Sequence, residues 1–380
     1  MTTIPLRRLM LASRLLFAAL TATGLATATT LAHADFTIGQ TAGHSGQVAA
    51  SVGEATRGAK LYFDIVNASG GINGQKINLV SLDDKFDPKI AATNAKQLID
   101  QGVISLFLNR GTPHTQEIMP LLTEHKVPLV GPSTGAMVLH KPVHPWLFNV
   151  RATYQREAER AIEHLSLIGM ERIAIVQVND SFGDDAVQGA MAGLTKTNKK
   201  PVLHEKYDRA KPDFSTIVPK LIEKQAQAVM FIGSGTAVVQ GMKAVRDAGS
   251  TAQLVTLSNN ASLGFIKDLG PVGYGVIVSQ VFPYERSIAK PIIKEISEAA
   301  QKAGVDLTPT VVEGYVSAKV LVEGLKRAGK TPTRQSLRDA LEAMGRYDLG
   351  GIELGYGPKD HSGLDYVDLA IIDQNGKFRR

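Results

Sequence analysis

The 380-residue chain contains no cysteine. That absence excludes a disulfide scaffold and lipid attachment through an N-terminal thiol, so a conventional hydrophobic core must hold the protein together. A strong charge of either sign is also missing. Three of the 42 basic residues lie in the first 34 positions, where there is no acid, so the formal +6 falls to +3 beyond them. No nucleic-acid footprint remains, and no nucleic-acid partner is expected. Past residue 34, no stretch approaches the ~20 apolar residues that a membrane helix needs. Neither a G-x-G-x-x-G turn nor a phosphate-binding P-loop occurs, and no cofactor is expected. His140 and His144 are four residues apart, but Pro142 lies between them and breaks the helical geometry that would align them. Without a third and fourth convergent ligand, no metal site is expected.

What is present begins with a three-part leader over residues 1–34. Arg7, Arg8 and Arg14 precede an apolar run from Leu15 to Leu31, followed by Ala32-His33-Ala34, a small-residue cleavage pattern. A cleaved signal peptide is expected. A freely diffusing exported protein needs an outer barrier to retain it, which points to a Gram-negative periplasm. The remaining stretch of about 345 residues is too long for one ordinary core, so two domains are expected.

From Phe36 the chain alternates short β-branched runs with helical patterns. Ala55, Ala59, Tyr62 and Val66 share one helical face, and Ser69-Gly70-Gly71 ends that helix. Asp87 reads as a helix N-cap with Pro88 in the first helical position. Strands are predicted at 103–108, 127–130, 172–178, 228–232, 253–257 and 275–279. Helices are predicted at 114–124, 154–167, from 184, and at 213–224, 237–248, 288–303 and 312–328. Strands separated by ~10–15-residue helices imply parallel sheets with right-handed crossovers. The segment from Gly351 to Asp373 reads as two β segments around the loop Gly357–Gly363. The fold class is therefore α/β with two doubly wound parallel-sheet lobes. The proline-rich stretch Lys141–Trp146 and the Phe282-Pro283 step are the expected crossing points. Lobe 1 is assigned to 35–152 plus 282–350, and lobe 2 to 153–281 plus 351–380.

Ligands of open α/β sheets bind at the carboxyl ends of the strands, so the loops there carry the functional reading. Arg110, Gly111 and Thr112 follow one strand: the guanidinium can pair with a carboxylate, glycine admits a ligand close to the backbone, and the hydroxyl donates and accepts. Ser133, Thr134 and Gly135 follow the next. Gly131-Pro132-Ser133-Thr134-Gly135 also matches the G-x-S-x-G nucleophile pattern, so a serine hydrolase using Ser133 is one alternative. Proline before the serine and the lack of a glycine-rich oxyanion loop weigh against it, and no enzyme is expected. In the second unit, Phe182 either stacks on a ligand or packs in the core, and Ser234 and Ser258 sit at later strand ends. Asp83 and Asp84 point to opposite faces of a strand end and form no acid–base pair.

The leader, the two α/β units and the order of motifs resemble the leucine/isoleucine/valine-binding-protein family, the type I periplasmic solute receptors of ABC importers. The carriers are Arg57-Gly58-Ala59, Asn67–Gly74, Asp83-Asp84 with Asp87-Pro88, Val127-Pro128 with Gly131–Thr134, Arg172–Val176 and Asp213-Phe214-Ser215. The resemblance spans nearly all the chain beyond the leader. It implies two lobes joined by a three-stranded hinge that close on a ligand, and delivery of that ligand to a membrane permease by a monomer. A ligand-sensing receptor handing closure to a signalling partner is the alternative on the same fold. It further implies that Thr112, and Ser133 with Gly135, hold a carboxylate. Where amino-acid-binding members place aromatics and an acid for the ammonium group, this chain has Phe182, Ser234 and Ser258, with Asp180 the nearest acid. A buried ammonium without a counter-charge is costly. The expected ligand is therefore a small carboxylate-bearing solute, with an amine-free organic acid favoured over a branched-chain amino acid.

Overall fold

The computed structural model describes residues 35–380, and the expected leader lies outside them. The chain opens with β1 (Phe36–Ala42), α1 (Ala49–Ala68), β2 (Ile77–Asp83), α2 (Pro88–Asp100), β3 (Ser105–Phe107), α3 (Thr112–Glu124), β4 (Leu129–Val130) and β5 (Leu147–Phe148). These five strands form a wholly parallel sheet in the order β2-β1-β3-β4-β5. Asp87 caps α2 as its spacing predicts, accepting from the Lys89 and Ile90 amides at 2.8 and 3.0 Å.

The chain continues through α4 (Tyr154–Leu167), β6 (Ile173–Val178), α5 (Ser181–Lys196), β7 (Leu203–Tyr207), α6 (Ile217–Glu223), β8 (Ala228–Ile232), α7 (Gly235–Asp247), β9 (Gln253–Thr256), α8 (Leu263–Leu269) and β10 (Ile277–Gln280). It closes with α9 (Pro291–Ala303), α10 (Pro309–Arg327), α11 (Arg334–Glu342), β11 (Gly345–Asp348), β12 (Glu353–Tyr356), β13 (Asp368–Ile372) and β14 (Phe378–Arg379). The second sheet has the order β14-β13-β10-β9-β8-β6-β7, with β13 and β14 as an antiparallel edge. Its parallel part, β7-β6-β8-β9-β10, repeats the connectivity of the first sheet. Helices cover both faces, so β6 and β8 are buried at every residue and read as unbroken apolar runs.

Three connections pass between the sheets: 149–153, 281–290 and 357–367. The second contains Phe282-Pro283, as expected. The first lies beyond the Lys141–Trp146 stretch, which instead leads into β5 with Trp146 buried. The third comes later than the sequence assignment of 351: β12 pairs with β11, and Leu354, Tyr356 and Leu364 pack in the core of the first sheet. The two β segments read between Gly351 and Asp373 are thus real strands belonging to different sheets.

The α1–α10 crossing shows why glycines sit on those helices. A Cβ on Gly58 would lie 2.1 Å from the Val311 carbonyl oxygen, and one on Gly314 would lie 1.8 Å from that of Ala55. Only hydrogen at these positions lets the helices touch backbone to backbone. Among the described residues, no helix is long and apolar enough to cross a membrane.

Candidate functional site

Both sheets reverse their strand order beside their first strand, between β1 and β3 and between β6 and β8. Such a switch point opens a crevice at the carboxyl ends of the strands. The sequence-predicted residues lie on the loops and helix starts after β3 and β4 in the first sheet and after β6, β8 and β9 in the second.

After β3, the backbone at Gly111 takes φ +100°, and a side chain there would sit 2.6 Å from His114 Nδ1. This turn places Arg110 beside Ser133, and the two residues form an isolated parallel bridge. Arg110 Nη1 donates to Ser133 Oγ at 3.0 Å, and Nη2 donates to the Asn259 carbonyl oxygen at 2.7 Å. Thr112 and Thr134 share a hydrogen bond between their hydroxyls at 2.7 Å. Four of the sequence-predicted residues are therefore brought together in two pairs, one member of each from either loop. Arg110 is only 3 % exposed, and its hydrogen bonds reach a hydroxyl and a carbonyl rather than a carboxylate. Burial pulls its pKa below the ordinary arginine value.

Ser133 accepts from a guanidinium, and no histidine among the described residues hydrogen-bonds to it. Gly135 faces the first crossing instead. Its carbonyl accepts from the Tyr154 amide at 2.8 Å, and a Cβ would meet the Ala152 oxygen at 2.5 Å.

In the second half, Ser258 and Ser234 belong to one polar network with residues the sequence reading passed over. Ser258 Oγ accepts from Arg151 Nη2 at 2.7 Å, and its amide donates to Glu157 at 2.9 Å. Ser234 Oγ accepts from Asn259 Nδ2 at 3.0 Å. Arg151 and Glu157 form a wholly buried ion pair, and the guanidinium also lies 4.5 Å from the Tyr154 ring centroid. Burial opposes the Arg151 charge, but Glu157, Tyr154 and Glu313 together outweigh it and raise the pKa. Phe182 is packed: it is 3 % exposed, with its ring 4.6 Å from that of Tyr154. Asp180 is committed elsewhere, capping α5 through the Phe182 and Gly183 amides and pairing with Arg209.

Two buried acids, Glu157 and Glu313, were missed. Glu157 shares the buried face of α4 with Tyr154, Ala158, Ala161 and Ile162. A glutamate in an apolar helical stripe was the available signal. Glu313 lies in α10 near Arg110 and Arg151, is buried, and has no hydrogen-bond partner at Oε1. A cavity of about 10 Å³, roughly one water, lies among Gln40, Ser51, Val52, Leu108, Arg110 and Ser133. That cavity is too small for a solute.

The sequence profile of the periplasmic binding proteins matches residues 35–377. An "Amino acid binding protein" of Pseudomonas aeruginosa is 28 % identical over 60 % of this chain and 61 % of its own length. The chain thus spans less than two thirds of that relative. The "Leu/Ile/Val-binding protein" of Escherichia coli is 25 % identical over 68 % of this chain and 71 % of its own. The solved "substrate-binding periplasmic protein" from Ralstonia solanacearum superposes with a TM-score of 0.84 at 31 % identity, covering 90 % of this chain and 99 % of that one. The chain belongs to the periplasmic binding protein family, whose relatives here are solute-binding proteins and not enzymes.

Proposed function

We propose that this protein captures a small carboxylate-bearing solute in the periplasm by closing two lobes over it, and delivers the solute to a membrane ABC permease. The lobes are built on the two sheets and turn about the three crossings. The observation that carries this reading is Arg110, a buried guanidinium with no carboxylate partner among the described residues. An unpaired buried charge costs several kcal/mol, and a ligand carboxylate accepting from the guanidinium offsets that cost. Ser133, paired with Arg110, and Thr112, paired with Thr134, supply hydroxyls for the second oxygen. Ligand contacts with both halves favour the closed population.

Glu313 supports a second feature of the ligand. Arg151 is paired with Glu157, which leaves Arg110 for a ligand carboxylate and Glu313 for a ligand cation. An ammonium group beside the unpartnered Glu313 oxygen favours an amino acid over the amine-free acid that the sequence alone suggested. Calorimetry on ligand-stripped protein decides. Saturable binding of α-amino acids and carboxylic acids, with no binding of the matching amides, is the expected result. Amides bound as tightly as the acids would remove the carboxylate reading.

A further inference from the structure

Away from the crevice, a cavity of about 400 Å³ opens where both halves meet the second crossing. Leu263 and Ile266 of α8 and Phe378 of β14 form the wall on the side of the second sheet. Ser297 of α9 and the segment Asp306–Pro309 form the opposite wall, and Glu285, Arg286 and Ile288 of the crossing complete it. Asp306, Arg286 and Lys377 are exposed, whereas Glu285 is only 6 % exposed and its Oε2 has no hydrogen-bond partner. Arg286 and Arg379 act on it only at a distance, and burial pushes its carboxyl up to about 7. The cavity therefore combines one deep acid that has no ion-pair partner among the described residues with apolar side chains of Leu263, Ile266, Leu307 and Phe378, and the exposed Arg286, Asp306 and Lys377 also line it.

We propose that this hinge-side cavity binds a small organic ammonium ligand, its charged head paired with Glu285 and its apolar body against Leu263, Ile266, Leu307 and Phe378. Occupancy favours the closed form, because the walls come from both halves and from the crossing between them. Thr308 and Leu263, both in the lining, are also the groups that Glu54 of α1 ties together. The site is separate from the crevice and does not depend on which solute binds there.

The test is calorimetric titration of the chain lacking residues 1–34 with n-butylammonium chloride, with n-butanol as the neutral isostere. Wild type should show saturable butylammonium binding at least ~10-fold tighter than butanol binding. Glu285→Gln, and separately Leu307→Trp, which fills the cavity, should each weaken it at least ~10-fold. Small-angle scattering should show a smaller radius of gyration with butylammonium than without. The proposal is overturned if wild type shows no saturable binding, if butanol binds equally well, or if both variants bind like wild type. It is also overturned if binding persists in Glu285→Gln and vanishes in Glu313→Gln, which would assign the ammonium to the crevice. An unchanged radius of gyration at saturation would overturn the link to closure.

Discussion

Arg110, at the end of β3, donates through Nη2 to the carbonyl oxygen of Asn259, just after β9, at 2.7 Å. One side chain thus spans from a loop of the first sheet to a loop of the second, while its other terminal nitrogen holds Ser133. Removing it should cost both the carboxylate anchor and a closure contact. Truncating one partner of a buried charged pair typically costs about 2–5 kcal/mol, so Arg110→Ala should weaken acid binding by roughly 30-fold or more. Arg110→Lys keeps the charge but lacks the planar fork and should fall between. Calorimetry on the three proteins checks this order, and equal affinities would remove Arg110 from the site.

Glu157 gives a prediction about stability. It accepts from Arg151, the Ser258 amide and the Ser279 hydroxyl, all buried. Glu157→Gln leaves Arg151 in the interior without its counter-charge, a loss of about 3–5 kcal/mol. Adding Arg151→Met removes the stranded charge and should recover much of that loss. Urea denaturation of the single and double variants measures both steps, and a double variant no more stable than the single one would contradict the account.

The fate of these residues shows what could be read in advance. Asp87-Pro88 was legible because a cap and a helix start are local events, set by neighbours two or three residues away. The placement of Arg110, Thr112, Ser133 and Thr134 beside one another was legible because strand ends converge in any open parallel sheet. Asp180, the nearest acid in the sequence, is taken up elsewhere because α5 starts at Ser181, earlier than the Asp184 expected, which makes Asp180 its cap. Glu157 stood out only as a glutamate in an otherwise apolar helical stripe, Glu313 shares its buried face with Thr310 and Ser317, and only tertiary packing brings the two acids to the arginines. The late third crossing was hidden for a similar reason, since the pairing of β12 with β11 rather than β13 depends on contacts with the first core.

Closure itself can be tested at Gly264. Glu54 of α1 accepts from the Leu263 and Gly264 amides, each at 3.1 Å, and from the Thr308 hydroxyl at 2.8 Å, so a first-half helix holds the start of α8. At this contact a Cβ on Gly264 would lie 2.3 Å from the Ala50 Cβ. Alanine is favourable in a helix interior, so Gly264→Ala should leave the second half folded and prevent full approach of the first. Expected are a weakening of solute affinity by about 10-fold, as a fall in the binding-competent fraction requires, and a larger radius of gyration at saturating solute. Unchanged scattering and affinity would show that this contact does not limit closure.

Glu285 makes the stability depend on pH in a direction that can be fixed beforehand. Burial raises its carboxyl from an ordinary 4.5 to about 7, so the folded state holds the proton more tightly than the unfolded chain. The favourable contribution of the protonated form is complete below about 4.5 and is lost as the pH rises through about 7. The span corresponds to a loss of about 3 kcal/mol at most. Glu285→Gln cannot ionise and escapes that loss. Asp84, which burial raises to about 6, titrates in the same region but is present in both proteins and cancels in their difference. The stability of Glu285→Gln relative to wild type should therefore be constant below pH 4.5, rise between the two values, and level off by about pH 8. Urea midpoints at three or more pH values measure that difference, and a flat difference across the range would mean that Glu285 ionises in the folded protein as it does in the unfolded one.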